Sequence, residues 1–324
     1  MSAVSSFRRK RIARVPIGLA IPFALVFLFF FVVPFFYSLY LSLFVQKGTT
    51  NHFVGLHNYL VAWQDTDFWL ALLRVLWYGV LQVIVMLVIA LGVALLLDSP
   101  YVKSKSLFRL IYFLPYAVPG VIAALMWGFL YSPQLNHLIS VLSVFNGGHP
   151  VTILSSGNLL YAIVNMVVWE TTGYNMTIYF ASLTSVPLEV YEAARLDGAS
   201  EWRIAMQIKV PLIRSTVIMT MVLSMIASLQ LFNEPYVLSP IVSVPWNYTP
   251  NMEIFNMAFT YGNFTYSATL SIILALITFV LSLLFMLVTG SQRRRRPPKT
   301  DKAASGAPSP ASAASSREPL QVAS

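Results

Sequence analysis

Two carboxylates sit where carboxylates are costly. Glu170 lies in VVWETTGYNMTIY and Glu234 in SLQLFNEPYVL, each within a strongly apolar stretch. An ionisable group at the centre of a membrane-crossing helix costs on the order of 2.5–3.5 kcal/mol on insertion scales. Each is therefore expected to face a cavity, a polar partner or the outer interface. Trp169, Tyr174 and Asn175 stand beside the first, and Ser224, Ser228, Gln230, Asn233 and Tyr236 near the second. Ser224 and Ser228 share one helix face at i, i+4. Aromatic rings that cover apolar C–H faces, with carboxylates and amides to take hydroxyls, are the mixture that binds sugars. A few placed polar groups in an apolar cavity also have the general form of a ligand site. The same residues fit a second arrangement, an interfacial belt of Trp and Tyr with both Glu near the outer surface.

No arrangement for bond-breaking chemistry accompanies them. The four histidines, His52, His57, His137 and His149, show no paired metal-ligand spacing, and the chain has no cysteine, which excludes disulfides, thiol catalysis and Cys-based metal sites. A G-x-x-x-x-G-K-[ST] phosphate loop is absent, as is any Gly-Lys pair. No metal or cofactor is expected on this chain. If ATP powers its work, another chain hydrolyses it.

The longest polar interruption between two apolar runs is Pro187–Pro211, PLEVYEAARLDGASEWRIAMQIKVP. It carries Glu189, Glu192, Arg195, Asp197, Glu201, Arg203 and Lys209, and must sit in water. Pro187 suits the first helical position, because its missing N–H is unpaired there anyway. VYEAARL follows with good helix formers and Glu192 and Arg195 at i, i+3. Asp197-Gly198 reads as the stop, since Gly accepts the left-handed conformation. Ser200 caps a second helix, EWRIAMQIKV, expected to end before Pro211. Such a charged hairpin fits a groove on another protein, or serves as a solvated connector.

The elements that must hold these groups are membrane spans. Of the 324 residues 57% are hydrophobic and 10% charged, which marks a polytopic membrane protein. A crossing needs about 20 apolar residues. Six runs qualify: 16–44, 70–97, 108–131, 158–184, 212–238 and 266–289. The net charge of +9 would suit nucleic acid, but the charges cluster beside the spans. Alternate assignment of the loops places 19 of the 21 Lys and Arg on one side, all but Lys47 and Arg74. Both termini and the 187–211 hairpin are thus predicted to be cytoplasmic. The first run is too long for a signal-peptide core and is read as an uncleaved helix.

Four parts follow. Residues 1–15 form a basic tail, 16–69 the first span with an outer segment on the membrane surface, 70–290 the core, and 291–324 a Pro-, Ala- and Ser-rich tail expected to be disordered. In the third span Pro115, Pro119 and Gly120 lie at bilayer depth, where a break is tolerated against a neighbour helix or a cavity; a packed kink without a ligand role is the plainer expectation. Residues 136–145 and 252–261 have apolar residues at helical spacing and are read as short interfacial helices.

The spacing of Glu192-Ala193-Ala194, Gly198, Ile208 and Pro211 resembles the EAA loop of permease subunits in binding-protein-dependent ABC importers, within the carbohydrate group. Val210 stands where that family usually has Leu, and the swap keeps an apolar residue. The resemblance covers nearly all of 15–290, taking in PFFYSLYLSLF, VGLHNYL and the Pro-interrupted third span. It implies an all-α type I importer fold, a partnership with a second permease, two copies of an ATPase and an external solute-binding protein, and sugar as the cargo. Arg195 and Asp197 complete the implied coupling surface. In the maltose-type member the sugar contacts flank the EAA loop. Alignment on Glu192 puts Tyr174 on a contacting Tyr and Ser224 on a contacting Ser, while Thr171 and Ser228 fall on contacting positions of different residue type. The implied sugar set is then Trp169, Glu170, Thr171, Tyr174, Asn175, Ser224, Ser228, Gln230, Asn233 and Glu234. The alternative is an ion- or proton-coupled transporter with Glu170 and Glu234 as its titrating pair; the inverted repeats common there are not apparent.

Overall fold

The computed structural model describes residues 20–48, 50–132 and 153–293, with side chains up to residue 287. The predicted segment 136–145 and the tails lie outside the described residues, as do His137 and His149. Among the described residues the regular structure is helical apart from one small antiparallel hairpin, β1 (Phe44–Lys47) with β2 (Thr50–Phe53), whose turn uses Gly48 at φ 63°.

The first span is α1 (Ala20–Leu41), none of whose residues is buried by the rest of the chain. It contains a π turn at Leu28–Val32, two residues before Pro34. The outer segment is more than a surface strand of chain. Its helix α2 (His57–Trp63) is tied inward by Asn58, whose buried Nδ2 donates to the carbonyls of Ser42 (2.8 Å) and Phe44 (2.7 Å). Thr269 of the last helix, α11 (Phe264–Arg293), bonds the same Ser42 carbonyl, at 3.3 Å. The segment thus belongs to the packed body.

The second span is α3 (Thr66–Asp98), capped by Asp65, which accepts from the Phe68 N–H. At about 1.5 Å per residue it is roughly 50 Å long. It packs most extensively on α6 (Leu159–Thr184). Val75, Tyr78, Met86, Ala90 and Ala94 meet Ile163, Met166, Met176, Tyr179 and Leu183 in the main apolar core. A smaller cluster joins Phe68 and Leu72 to Leu270 and Leu274 of α11.

The predicted third span is broken. A helix α4 (Lys105–Phe113) continues as a 3-10 turn to Ala117, and α5 (Gly120–Leu130) then leaves at 95° to that axis. Pro119 starts α5, so the chain between the prolines carries the turn. Gly173 of α6 packs directly on the Tyr112 carbonyl of α4, closely enough that no side chain fits.

The hairpin comprises α7 (Leu188–Leu196) and the start of α8 (Glu201–Ser228). The predicted stop before Pro211 is not there. A π turn at Ala205–Lys209 ends two residues before Pro211, and the helix runs on. Proline clashes with the carbonyl four residues earlier, and at both Pro34 and Pro211 that carbonyl falls inside the π turn, where the ladder is widened. At its other end α8 stops at Ser228, ten residues short of the predicted limit. After a turn at Leu229–Phe232 comes the short α9 (Asn233–Leu238). The predicted helix at 252–261 is α10 (Pro250–Phe255) plus a π turn, packed on α3 and α11 with Met252 and Glu253 buried.

Among the described residues, five segments have the length and hydropathy of a crossing when the bent pair is taken as one. The sixth predicted run, α6, has 26 residues and falls short of that hydropathy. Its hydropathy is lowered by the polar groups that made it interesting in the sequence, and neighbouring helices cover it.

Candidate functional site

Where α6, α8 and α3 meet, a cavity of about 330 Å³ opens. Its wall includes Thr171, Tyr174, Asn175, Ser224, Ser228, Gln230, Asn233 and Glu234, eight of the ten residues named from the sequence. Glu170 and Trp169 are not in that wall. Glu170 instead faces the break of the third span: a Cβ placed on Gly120 would lie 3.7 Å and 3.8 Å from its carboxylate oxygens and 3.8 Å from Glu234 Oε1. The two carboxylates therefore converge on one point at the start of α5. That position sets the broken helix beside the polar groups. The N-terminal end of a helix carries partial positive charge, which favours carboxylates there. Trp169 packs edge-on against Trp127 of α5, with ring centroids 5.7 Å apart.

Tyr174 stacks on Tyr116 with centroids 4.7 Å apart and planes 20° from parallel. Phe232 and Tyr236 make a second stacked pair at 4.9 Å. Several polar groups are held from within. Asn175 Nδ2 donates to the Thr171 carbonyl at 3.1 Å, Thr171 Oγ1 to that of Val167, and Ser228 Oγ to that of Met225 at 2.7 Å. Ser228 occupies the space left by Gly79 of α3, where a Cβ would collide with its hydroxyl. Among the described residues, no Lys or Arg lines the cavity. Sequence reasoning passed over four polar members of the wall: Tyr78 and Gln82 on α3, Tyr116 beside the break, and Thr220 on α8. Their signal was present, as polar tips within apolar runs.

The 187–211 hairpin has its own small core of Tyr191, Ala194 and Ile204, backed by Val186, Ala199 and Ile208. Two motif positions, Ala194 and Ile208, thus hold the hairpin together. Glu192, Ala193, Arg195, Asp197 and Gly198 are exposed. Gly198 adopts φ 78°, and Ser200 accepts from the Arg203 N–H. Arg195 pairs across the turn with Glu201 (2.8 Å), not within its own helix with Glu192, and this hydrogen bond lowers the Glu201 carboxyl below its ordinary range. Leu196, 90% exposed, and Trp202 are apolar groups left bare on the same unit. Pro211 is exposed at the second residue after the π turn.

One ion pair joins this hairpin to the second span. Lys209 Nζ lies 2.6 Å from Asp98 Oδ2 at the end of α3, with side-chain exposures of 5% and 11%, and stands 4.9 Å above the Tyr191 ring. Burial, and then Asp98, raise the Tyr191 phenol. At the other end of α3, Glu253 is fully buried, and neither carboxylate oxygen has a hydrogen-bond partner among the described residues. Burial, followed by the charges of Asp65 and Asp67, pushes it up to about 8. Tyr266, whose hydroxyl donates to Asp65 at 2.6 Å, and Arg74, bonded to the Tyr248 carbonyl, complete that corner.

Known proteins share this layout. A model of binding-protein-dependent transport system inner membrane components matches residues 90–296. The lactose transport system permease protein LacF of Rhizobium radiobacter is 31% identical over 261 residues, 79% of this chain and 87% of that protein. The trehalose/maltose transport system permease protein MalF of Thermococcus litoralis is 30% identical over 293 residues, 88% and 95% of the two chains. In fold the chain is similar to a bacterial ABC transporter involved in alginate import, with a TM-score of 0.77 at 18% identity over 90% of this chain and all of the other. With the broken third span, the hairpin between α6 and α8 and the polar cavity they border, these matches place the chain in the family of binding-protein-dependent transport system inner membrane components, as a multi-pass membrane subunit that is not itself an enzyme.

Proposed function

We propose that this chain is one permease subunit of an ATP-driven importer of an oligosaccharide or related glycoside, with the cavity between α6, α8 and α3 as its half of the sugar path. One observation carries the reading: two of the three helices that wall the cavity, α6 and α8, are those that enter and leave the exposed 187–211 hairpin. A push on that hairpin is transmitted directly to the cavity wall. The lactose and trehalose/maltose permeases among the relatives support sugar as the cargo class, and stacked rings beside carboxylates and amides suit it chemically.

In this reading a second, similar permease faces the cavity and two ATPase copies grip the two hairpins. A solute-binding protein docks on the opposite face, and the termini lie in the cytoplasm with the hairpin. Glu192, Ala193, Arg195 and Asp197, with bare Leu196 and Trp202, form the ATPase contact. ATP-driven closure moves the hairpin and opens the cavity outward, the binding protein hands over its sugar, and return to rest releases it inward.

The test replaces Tyr174 by Ala and Glu234 by Gln, both in the cavity wall, in the assembled complex. Loss of a hydrogen bond to a charged group, worth about 1.5–3 kcal/mol, corresponds to roughly a tenfold to hundredfold weaker sugar affinity. Both variants should lose uptake while the complex assembles and the binding protein still takes sugar. The convergence of Glu170 and Glu234 at Gly120 favours one competing reading, proton coupling. It predicts that Glu234→Gln changes the pH dependence of uptake and abolishes its response to a proton gradient. Normal uptake by both variants would remove the cavity from the path.

A further inference from the structure

Most buried polar side chains of the cavity wall have a partner inside the protein, and two do not. Asn175 and Ser228 bond backbone carbonyls, and Thr220 bonds Tyr179. Tyr78 and Gln82 are each only 3% exposed, yet neither the phenol nor the amide has a hydrogen-bond partner among the described residues. Both line the cavity. They lie at i, i+4 on α3, hence on one face and about 6 Å apart along the axis. Gly79 beside them lets α8 close onto α3 through Ser228, which brings that face against the Ser224–Ser228 wall. Tyr78 is also near enough to feel the charges of both Glu234 and Glu170.

We propose that Tyr78 and Gln82 are ligand-binding residues, a third wall of the cavity that takes hydroxyl groups of the transported sugar. The inference rests on the sugar-path reading above and extends it to a span that no resemblance assigned to the site. Neither tip is among the buried unpaired polar atoms of the described residues, so the phenol and the amide open on the cavity, where a ligand hydroxyl can take the place of water. The chemistry on offer is complementary to a hydroxyl-rich ligand. The amide both donates and accepts, the phenol does likewise, and the nearby carboxylates accept only. The stacked Tyr116–Tyr174 pair adds aromatic surface to the same cavity.

Because neither polar tip bonds to the protein, removing it while keeping its shape should not harm folding. This makes Tyr78→Phe and Gln82→Leu clean probes. Each is put into the complete complex in proteoliposomes with its binding protein, and uptake is read with lactose, trehalose and maltotriose, using whichever the unaltered complex carries fastest. The expected result is unchanged assembly and an equal or higher melting temperature, with sugar imported per ATP hydrolysed reduced tenfold or more. A ratio within twofold of the unaltered complex for both variants would overturn the proposal, and so would failure to assemble, which would reveal a structural partner. Tyr174→Ala is run alongside. If it alone loses uptake, the third wall is wrong and the sugar path stands; if none of the three does, or the unaltered complex carries no sugar, both readings fall together.

Discussion

Lys209 ties three moving parts together, and cutting that tie should uncouple them. Its ammonium is 2.6 Å from Asp98 and 4.9 Å from the Tyr191 ring, so one side chain links α8, the end of α3 and the first helix of the hairpin. Both side chains of the ion pair are nearly buried. Replacing Lys209 by Met alone leaves Asp98 charged with no counter-ion. Breaking a buried pair from one side costs about 3–5 kcal/mol. In a chain of this size that is roughly 6–20 °C in melting temperature, at about 2–4 °C per kcal/mol. Replacing both, as Lys209→Met with Asp98→Leu, exchanges the pair for apolar packing and should restore most of the stability, because desolvation offsets much of the pair's attraction. The double variant should therefore assemble, bind ATP and hydrolyse it, yet move less sugar per ATP, since the hairpin no longer pulls on the second span. The assays are melting of the purified complex and the ratio of uptake to stimulated ATPase activity in proteoliposomes. A single variant that melts within 2 °C of the unaltered complex would refute the buried pair. A double variant with a normal uptake ratio would show that the pair only stabilises.

Three further outcomes are expected. Gly173→Ala should reduce assembled complex sharply, because its methyl would meet the Tyr112 backbone carbonyl and overpacking of this kind costs about 1–3 kcal/mol; normal yield in detergent would contradict the contact. Glu253 is raised from 4.5 to about 8, so the folded state holds its proton and this residue's contribution to stability falls as pH rises through that window. Glu253→Gln should thus melt like the unaltered complex at pH 4 and above it at pH 9, by roughly 2–4 °C for each kcal/mol regained, and identical curves at both pH values would show the carboxyl to be hydrated. Glu192→Lys should keep the fold and lose binding-protein-stimulated ATPase activity, because reversing an exposed charge at a docking surface costs specificity more than stability; normal stimulation and normal uptake would remove Glu192 from the contact.

The helices were legible because a membrane asks for a long apolar run and little else. What stops or bends them was less so. Pro115, Pro119 and Gly120 announce a break, but a missing hydrogen bond does not specify an angle, and the 95° turn depends on α6 and its glycine at 173 lying alongside. Pro211 carries the same local signal as Pro119 and ends nothing, since a π turn takes up its clash. The stop at Ser228 has no Gly or Pro in the four residues that follow. Only the packing of α9 on α5 explains why the chain turns there.

The candidate site follows the same division. Glu170 and Glu234 stood out because a charge in an apolar run is expensive, and the structure brings both to Gly120. Tyr78 and Gln82 obey the same rule at lower cost. A tyrosine or glutamine in a long helix has ordinary explanations, such as a belt or a hydrogen bond to a neighbouring turn, and only the coordinates show that neither applies. Lys209 and Asp98 lie 111 residues apart, and each alone reads as a solvated charge near a span end. Their pairing is visible only once α3 and α8 are brought side by side. Chemistry within one helix can thus be read from the chain, whereas chemistry between helices needs the packing. In the proposed function, coupling is of the second kind: the motif in the hairpin would mark where force enters, and the buried pair at Lys209 where it passes on.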